Sequence, residues 1–318
     1  MYETAAAVPR RRRPRRWRER GAVLVYLSPW IIGFGIFTLA PMIASLYWSF
    51  TKYQLPGDPK WIGTLNYEFM FTKDPNFWLA VRNTIWIIVV GLPFRIVFGV
   101  ITALLLTRKR RGVNVYRTAY FLPTMAPVVA ATLAFAYLLN PSYGPVNVVL
   151  EKLGVENPPQ WFFSPQWSKP ALVMLGLWGV GDAMIIFLAG FLDVPKHLYE
   201  AADLEGASGI AKFRHVSLPM VSPVVFFEVV TGIIFGFQYF AQAYVASFNT
   251  TADQSIGGPQ NSLLFYSVHL YQQGFIYFKM GYASAMAWVL LIISLLCTIA
   301  ILRGSRRWVH YQGGAFLR

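Results

Sequence analysis

The stretch YEAADLEGASGIAKFRHVSLP, Tyr199–Pro219, decides how the rest of the chain is read. It carries five charged residues, Glu200, Asp203, Glu205, Lys212 and Arg214, between segments that are mostly apolar. That is too much charge for a bilayer interior. Its pattern is also too regular for a plain loop. Pro195 suits the first turn of a helix, and His197 to Glu205 uses good helix formers. Ala201 and Ala202 give that helix a low, flat surface. Gly206 and Gly209 permit a sharp turn. A second short helix is expected from about Ile210 to Val216, with Pro219 opening the next apolar segment. Two readings stand at this point: a platform that a partner approaches closely, or an amphipathic connector resting on lipid.

Outside this stretch the chain has the composition of an integral membrane protein. Of its 318 residues, 56% are hydrophobic and only 13% charged, with a mean hydropathy of +0.45. Six apolar windows are long enough to cross a hydrocarbon core. They run from about Ala22 to Leu46, Val81 to Thr107, Thr118 to Leu139, Ala171 to Leu192, Val221 to Phe248 and Gly281 to Leu302. Helices satisfy their own backbone in lipid, and the apolar runs lack the alternation of a barrel. The fold expected is all-α, with six transmembrane helices. The first apolar run is longer than a signal-peptide core and is expected to stay in place.

Charge sets the orientation. Twenty Lys and Arg residues lie in the N-terminal tail, the second and fourth loops and the C-terminal tail, against six on the opposite side. Such an excess puts both termini, and the stretch Tyr199–Pro219, in the cytoplasm. It also accounts for the net charge of +14 without nucleic acid. The external segments Thr51 to Ala80 and Asn140 to Pro170 are rich in Pro, Trp, Tyr and Asn, which suits ordered caps or short interfacial helices. Gly257, Gly258 and Pro259 mark a further turn.

No motif supplies an energy source or a catalytic centre. No lysine is followed by Ser or Thr, so the chain has no Walker A loop, and HExxH, CxxC and GxSxG are missing. The four histidines are scattered, and Cys297 is alone. No enzyme activity, no cofactor and no metal site is expected in this chain.

The spacing Glu200-Ala201-Ala202, Gly206, Val216 and Leu218-Pro219 resembles the EAA motif of binding-protein-dependent ABC importer permeases, with Val216 where that family has Ile. The similarity extends over nearly the whole chain and is greatest to the carbohydrate-uptake branch, the maltose and glycerol-phosphate type. Ser28-Pro29, Trp61-Ile62-Gly63, Arg82-Asn83-Thr84, Tyr116 to Ala130, Asn140-Pro141 and Gly281 to Ala285 carry it. The resemblance implies a type-1 ABC importer permease fold in a bacterial plasma membrane. It also implies pairing with a sister permease, usually as a heterodimer. Two ATPase subunits would bind ATP and Mg, and an extracytoplasmic solute-binding protein would deliver a carbohydrate. Glu200, Ala201, Ala202, Asp203, Gly206, Leu218 and Pro219 are then ATPase-coupling residues. The expected organisation is a basic tail (1–21), a first span with its external loop (22–76), a core (77–305) holding the coupling element at 195–219, and a second tail (306–318).

Polar residues in the spans mark a path. Trp178, Gly179 and Asp182 are expected on one helix face. Phe235, Gln238, Tyr239 and Gln242 follow i, i+3, i+4, i+7 spacing on another helix. Aromatic rings and amides together suit a hydroxyl-rich sugar. Asp182 has a second reading, as the partner of Arg95 in an intramembrane ion pair, with Glu228 an alternative partner for Arg95. A self-sufficient secondary carrier or channel is the alternative function, although such a protein has no use for the EAA spacing.

Overall fold

Three of the long helices carry a proline just after a widened, π-helical turn. These turns are Gly35–Leu39 before Pro41, Ile87–Gly91 before Pro93, and Phe213–Ser217 before Pro219. Proline has no N–H and its ring crowds the carbonyl four residues back. Widening the preceding turn relieves that crowding, so the helix continues instead of ending.

The structure is a computed structural model. It describes residues 16–108, 111–248, 256–305 and 309, with side chains from residue 23 onward. Residues 1–15 and most of the second tail, with their basic residues, lie outside that description.

Four helices are long and apolar enough to cross a membrane unbroken. They are α1 (Val23–Ser49), α3 (Phe77–Thr107), α10 (Gly209–Phe237) and α13 (Met280–Ser305). A two-residue antiparallel ladder joins β1 (Thr51–Lys52) to β2 (Lys60–Trp61) after α1, and α2 (Leu65–Thr72) follows it. Two further helix pairs are long and apolar enough only when taken together, each bent at a short break: α4 (Val113–Met125) with α5 (Val128–Leu138), at 98°, and α7 (Ser168–Trp178) with α8 (Gly181–Leu192), at 50°. Between them lies α6 (Pro145–Lys152). The remaining helices are α9 (Lys196–Leu204), α11 (Ala241–Phe248) and α12 (Tyr266–Tyr271).

The sequence led us to expect unbroken spans where the structure has bends. Ala126 is extended, at φ −70° and ψ 133°, because it precedes Pro127. This ends α4 and turns the chain. The break between α7 and α8 falls at Gly179–Val180. There Gly181 lies so close to the backbone of Tyr120 and Phe121 that a Cβ would overlap it. The expected span Val221 to Phe248 ends at Phe237 and resumes as α11. The Phe237 carbonyl freed there accepts from Ser267 Oγ at 3.0 Å.

α8 packs along α3, with Ala103, Leu106, Ala183, Met184, Phe187 and Phe191 buried between them. Leu198, Tyr199, Phe213 and Val216 pack onto the same cluster, which seats the polar stretch against the spans. At the other end Met70, Phe77, Tyr266, Tyr282 and Met286 form a second core.

Candidate functional site

Arg95 on α3 and Asp182 at the start of α8 form an ion pair in the wall of a cavity of about 660 Å³. Arg95 Nη2 donates to Asp182 Oδ2 at 2.5 Å, and the Ala183 N–H donates to Asp182 Oδ1 at 2.8 Å. A carboxylate at a helix N-terminus is favoured by the exposed N–H groups and dipole there. The two side chains stay 33% and 52% exposed, both toward the cavity they line. Glu228 on α10 lines the same cavity and is buried. It makes no ion pair among the described residues, so Arg95 is paired with Asp182.

Trp178, Gly179, Asp182, Phe235, Gln238, Tyr239 and Gln242 all line this cavity. They do not get there as two helical faces. The break at Gly179–Val180 separates Trp178 from Asp182, and the break after Phe237 interrupts the stripe Phe235 to Gln242. Helix breaks at membrane depth are tolerated where they line a cavity. Here they turn side chains of successive segments inward. The Trp178 ring rests against Phe135 at 5.6 Å, and Tyr239 against Phe265 at 5.3 Å. Ion-paired and cavity-lining are therefore not exclusive descriptions of Asp182.

The polar stretch forms a closed turn. α9 starts after Pro195 and ends in a Schellman motif: Ala207 N–H donates to the Ala202 carbonyl at 2.9 Å, and Gly206 N–H to that of Asp203 at 3.0 Å. Gly206 takes φ +74°, a left-handed conformation that glycine adopts without strain. Ser208 Oγ accepts from Ala211 N–H at 3.3 Å and caps α10. Lys212 pairs with Asp203 across the turn, and Tyr199 OH meets Ser217 Oγ at 2.9 Å.

The expected short helix from Ile210 to Val216 is not a separate element. The π turn Phe213–Ser217 carries it through Leu218 and Pro219 into α10 without a break. Glu200, Ala201, Asp203, Gly206 and Leu218 are exposed, whereas Ala202 and Pro219 are half-buried. Leu204 is 91% exposed and Ile210 81%, which puts two large apolar side chains in the open on either side of the Gly206 turn. Apolar periodicity gave no hint of these two, because they face away from the core.

Two arrangements escaped the sequence reading altogether. Asp74, just before α3, accepts from His269 Nε2 at 2.7 Å, Tyr282 OH at 2.5 Å and the Asn76 N–H at 2.9 Å. Burial raises its carboxyl. The hydrogen bonds from His269 and Tyr282, the field of His269 and the Asn76 N–H outweigh burial and hold it at about 2. His269 is 1% exposed, and its Nδ1 has no partner among the described residues. Near the same end of the molecule Lys169 Nζ donates to Asn83 Oδ1 at 3.0 Å. Asn83 Nδ2 donates in turn to the carbonyls of Asn261 and Leu264.

Residues 95–309, from the ion-paired arginine to just past the last helix, match the model of the binding-protein-dependent transport system inner membrane component family. The chain belongs to that family. Similarity to curated proteins extends further. The chain is 38% identical over 298 residues to the "Probable ABC transporter permease protein YesP" of Bacillus subtilis, covering 93% of this chain and 94% of that one. It is 31% identical to the arabinooligosaccharides transport system permease protein AraP of the same organism, covering 95% and 96%. Its fold matches a chain in the crystal structure of a bacterial ABC transporter involved in the import of the acidic polysaccharide alginate. That match has a TM-score of 0.77 at 23% identity and covers 92% of this chain and 99% of the other. The protein is thus a helical permease with the type-1 ABC importer fold, an inner membrane component and not the ATPase itself. The self-sufficient carrier or channel falls away.

Proposed function

We propose that this permease carries a sugar or related polyol, delivered by an extracytoplasmic solute-binding protein, across the membrane by alternating access. Six spans with both termini in the cytoplasm form the path, each bent pair counting as one span. Residues 1–21 and 306–318 are cytoplasmic tails, 22–76 the first span with its external loop, and 77–305 the core with the coupling element at 195–219. A sister permease completes the membrane unit, and two ATPase subunits holding ATP and Mg sit beneath it.

One observation carries the reading. The coupling turn and the cavity share α10, which runs from Gly209 to Phe237 without a break. Gly209 stands at the turn, while Glu228, Phe235 and Gly236 line the cavity. At 1.5 Å per residue the helix spans about 43 Å. A displacement of the turn by closing ATPase subunits would reach the cavity wall through one rigid rod, by the rigid-body route common to such switches. Glu200, Ala201, Ala202, Asp203, Gly206, Leu218 and Pro219 form or adjoin the surface offered to the ATPase. Trp178, Gly179, Asp182, Phe235, Gln238, Tyr239 and Gln242 form the substrate path, with rings for C–H faces and amides for hydroxyls. That mixture, and relatives such as AraP, support a saccharide. The test is uptake of a labelled saccharide panel by cells expressing the importer, with and without its ATPase subunits. Uptake that persists without them, driven by an ion gradient, refutes the proposal.

A further inference from the structure

Arg95 is held as though for a ligand. A guanidinium has five N–H donors, and among the described residues only one, on Nη2, is engaged. The rest sit on a side chain that is one-third exposed, at a cavity wall. Asp182 has the complementary arrangement. Both its oxygens already accept, one from Arg95 and one from the Ala183 N–H at the start of α8. The carboxylate is fixed by the helix, and the guanidinium is fixed by the carboxylate. A polar group pre-placed in this way needs no reorganisation when a ligand arrives.

The charge around Arg95 restricts what that ligand can be. Glu228, 5% exposed, lies on the opposing helix and lines the same cavity. The wall therefore holds one cation, already paired with a carboxylate. An anionic ligand on the free donors would sit beside the Asp182 carboxylate, and like charges repel. An uncharged hydroxyl takes the free donors and leaves the ion pair intact. Trp178, Gln238 and Gln242 surround the same space.

We infer that Arg95 is a direct substrate contact that donates to sugar hydroxyls. Asp182 is the positioning residue that holds it, and its carboxylate beside the guanidinium selects uncharged over acidic saccharides. This rests on the saccharide reading above and narrows it to neutral sugars.

The experiment uses the whole importer purified in detergent, with every variant compared at equal assembled complex by gel filtration. Saturation-transfer NMR without the binding protein measures contact with three neutral probes, arabinotriose, maltotriose and galactotriose, and one anionic probe, trigalacturonate. Uptake into proteoliposomes gives KM and Vmax separately. For the wild type we expect saturation transfer to at least one neutral trisaccharide and none to trigalacturonate. Arg95→Gln weakens the neutral contact about tenfold or more, the scale of a lost charge-assisted hydrogen bond, and Arg95→Lys recovers part of it. Asp182→Asn raises KM with little change in Vmax, a split that a purely structural role would not give. Asp182→Asn also gains contact with trigalacturonate. Unchanged neutral contact in Arg95→Gln overturns the inference, and so does wild-type contact with trigalacturonate equal to that with neutral probes. If neither contact nor uptake occurs with any saccharide, the saccharide reading itself fails and takes the inference with it.

Discussion

Gly206→Ala tests the coupling turn at a point where the cost can be worked out. Nothing lies within 4 Å of a Cβ placed there, so the substitution causes no clash. The whole penalty comes from the backbone, because φ is +74°. Holding alanine in that left-handed conformation costs about 1–2 kcal/mol. The two Schellman hydrogen bonds through Gly206 and Ala207 depend on it. A loss of that size changes the population of the closed turn by a factor of about 5–30. Gly209, three residues on, supplies the control. It too has open space for a Cβ but lies in the first turn of α10 with no positive φ. There alanine is neutral or stabilising by up to about 1 kcal/mol. ATP-driven uptake by the reconstituted importer should fall several-fold in Gly206→Ala and hold in Gly209→Ala. Gly206→Asn, which tolerates the left-handed region better, should fall in between. Equal uptake by Gly206→Ala and the wild type would refute the claim that the turn geometry transmits force. So would an equal loss at both glycines.

Three other perturbations follow from the same structure. Leu204→Ser removes an apolar side chain that packs on nothing in this chain; melting temperature in detergent should hold, while the amount of co-purifying ATPase subunit falls. Asp74→Asn leaves His269 and Tyr282 without their shared carboxylate and should cost about 2 kcal/mol, read as a lower melting temperature. Because the folded Asp74 carboxyl lies near 2, below its ordinary 3.8, its contribution is present above the ordinary value and disappears as pH falls through about 2. Melting of the wild type minus that of Asp74→Asn should therefore be flat at neutral pH and shrink only in that acid window. Gly181→Val drives a side chain into the backbone of Tyr120 and Phe121 and should abolish accumulation of folded protein, whereas Gly176→Ala, with open space, should not.

The spans were legible because lipid demands long apolar runs, and such runs cannot be hidden in a sequence. The turn at Gly206 was legible because its glycines and its helix formers are local signals. Breaks inside spans were much harder to see. The breaks at Gly179–Val180 and Gln238 go with close packing of Gly181 on the Tyr120–Phe121 backbone and with the Ser267 hydroxyl on the Phe237 carbonyl. Those partners are distant in the chain. The stripe at Phe235 to Gln242 was therefore assigned to one helix face when a break delivers it to the cavity. The Asp74–His269–Tyr282 cluster joins residues up to 208 positions apart. Scattered histidines gave no sign of it. Pro219 shows the opposite error: it was read as opening a new segment, whereas the π turn before it lets one helix run through.

The lever mechanism is tested most directly by a distance change along α10. Spin labels at Ile210, by the turn, and at Phe235, by the cavity, should keep one fixed separation with and without ATP in the assembled importer. A second pair, between Phe235 and Ile88 on α3, should shift when ATP binds. A constant first distance with a changing second one is the predicted result. A first distance that changes while the cavity pair stays still would contradict rigid transmission from turn to cavity.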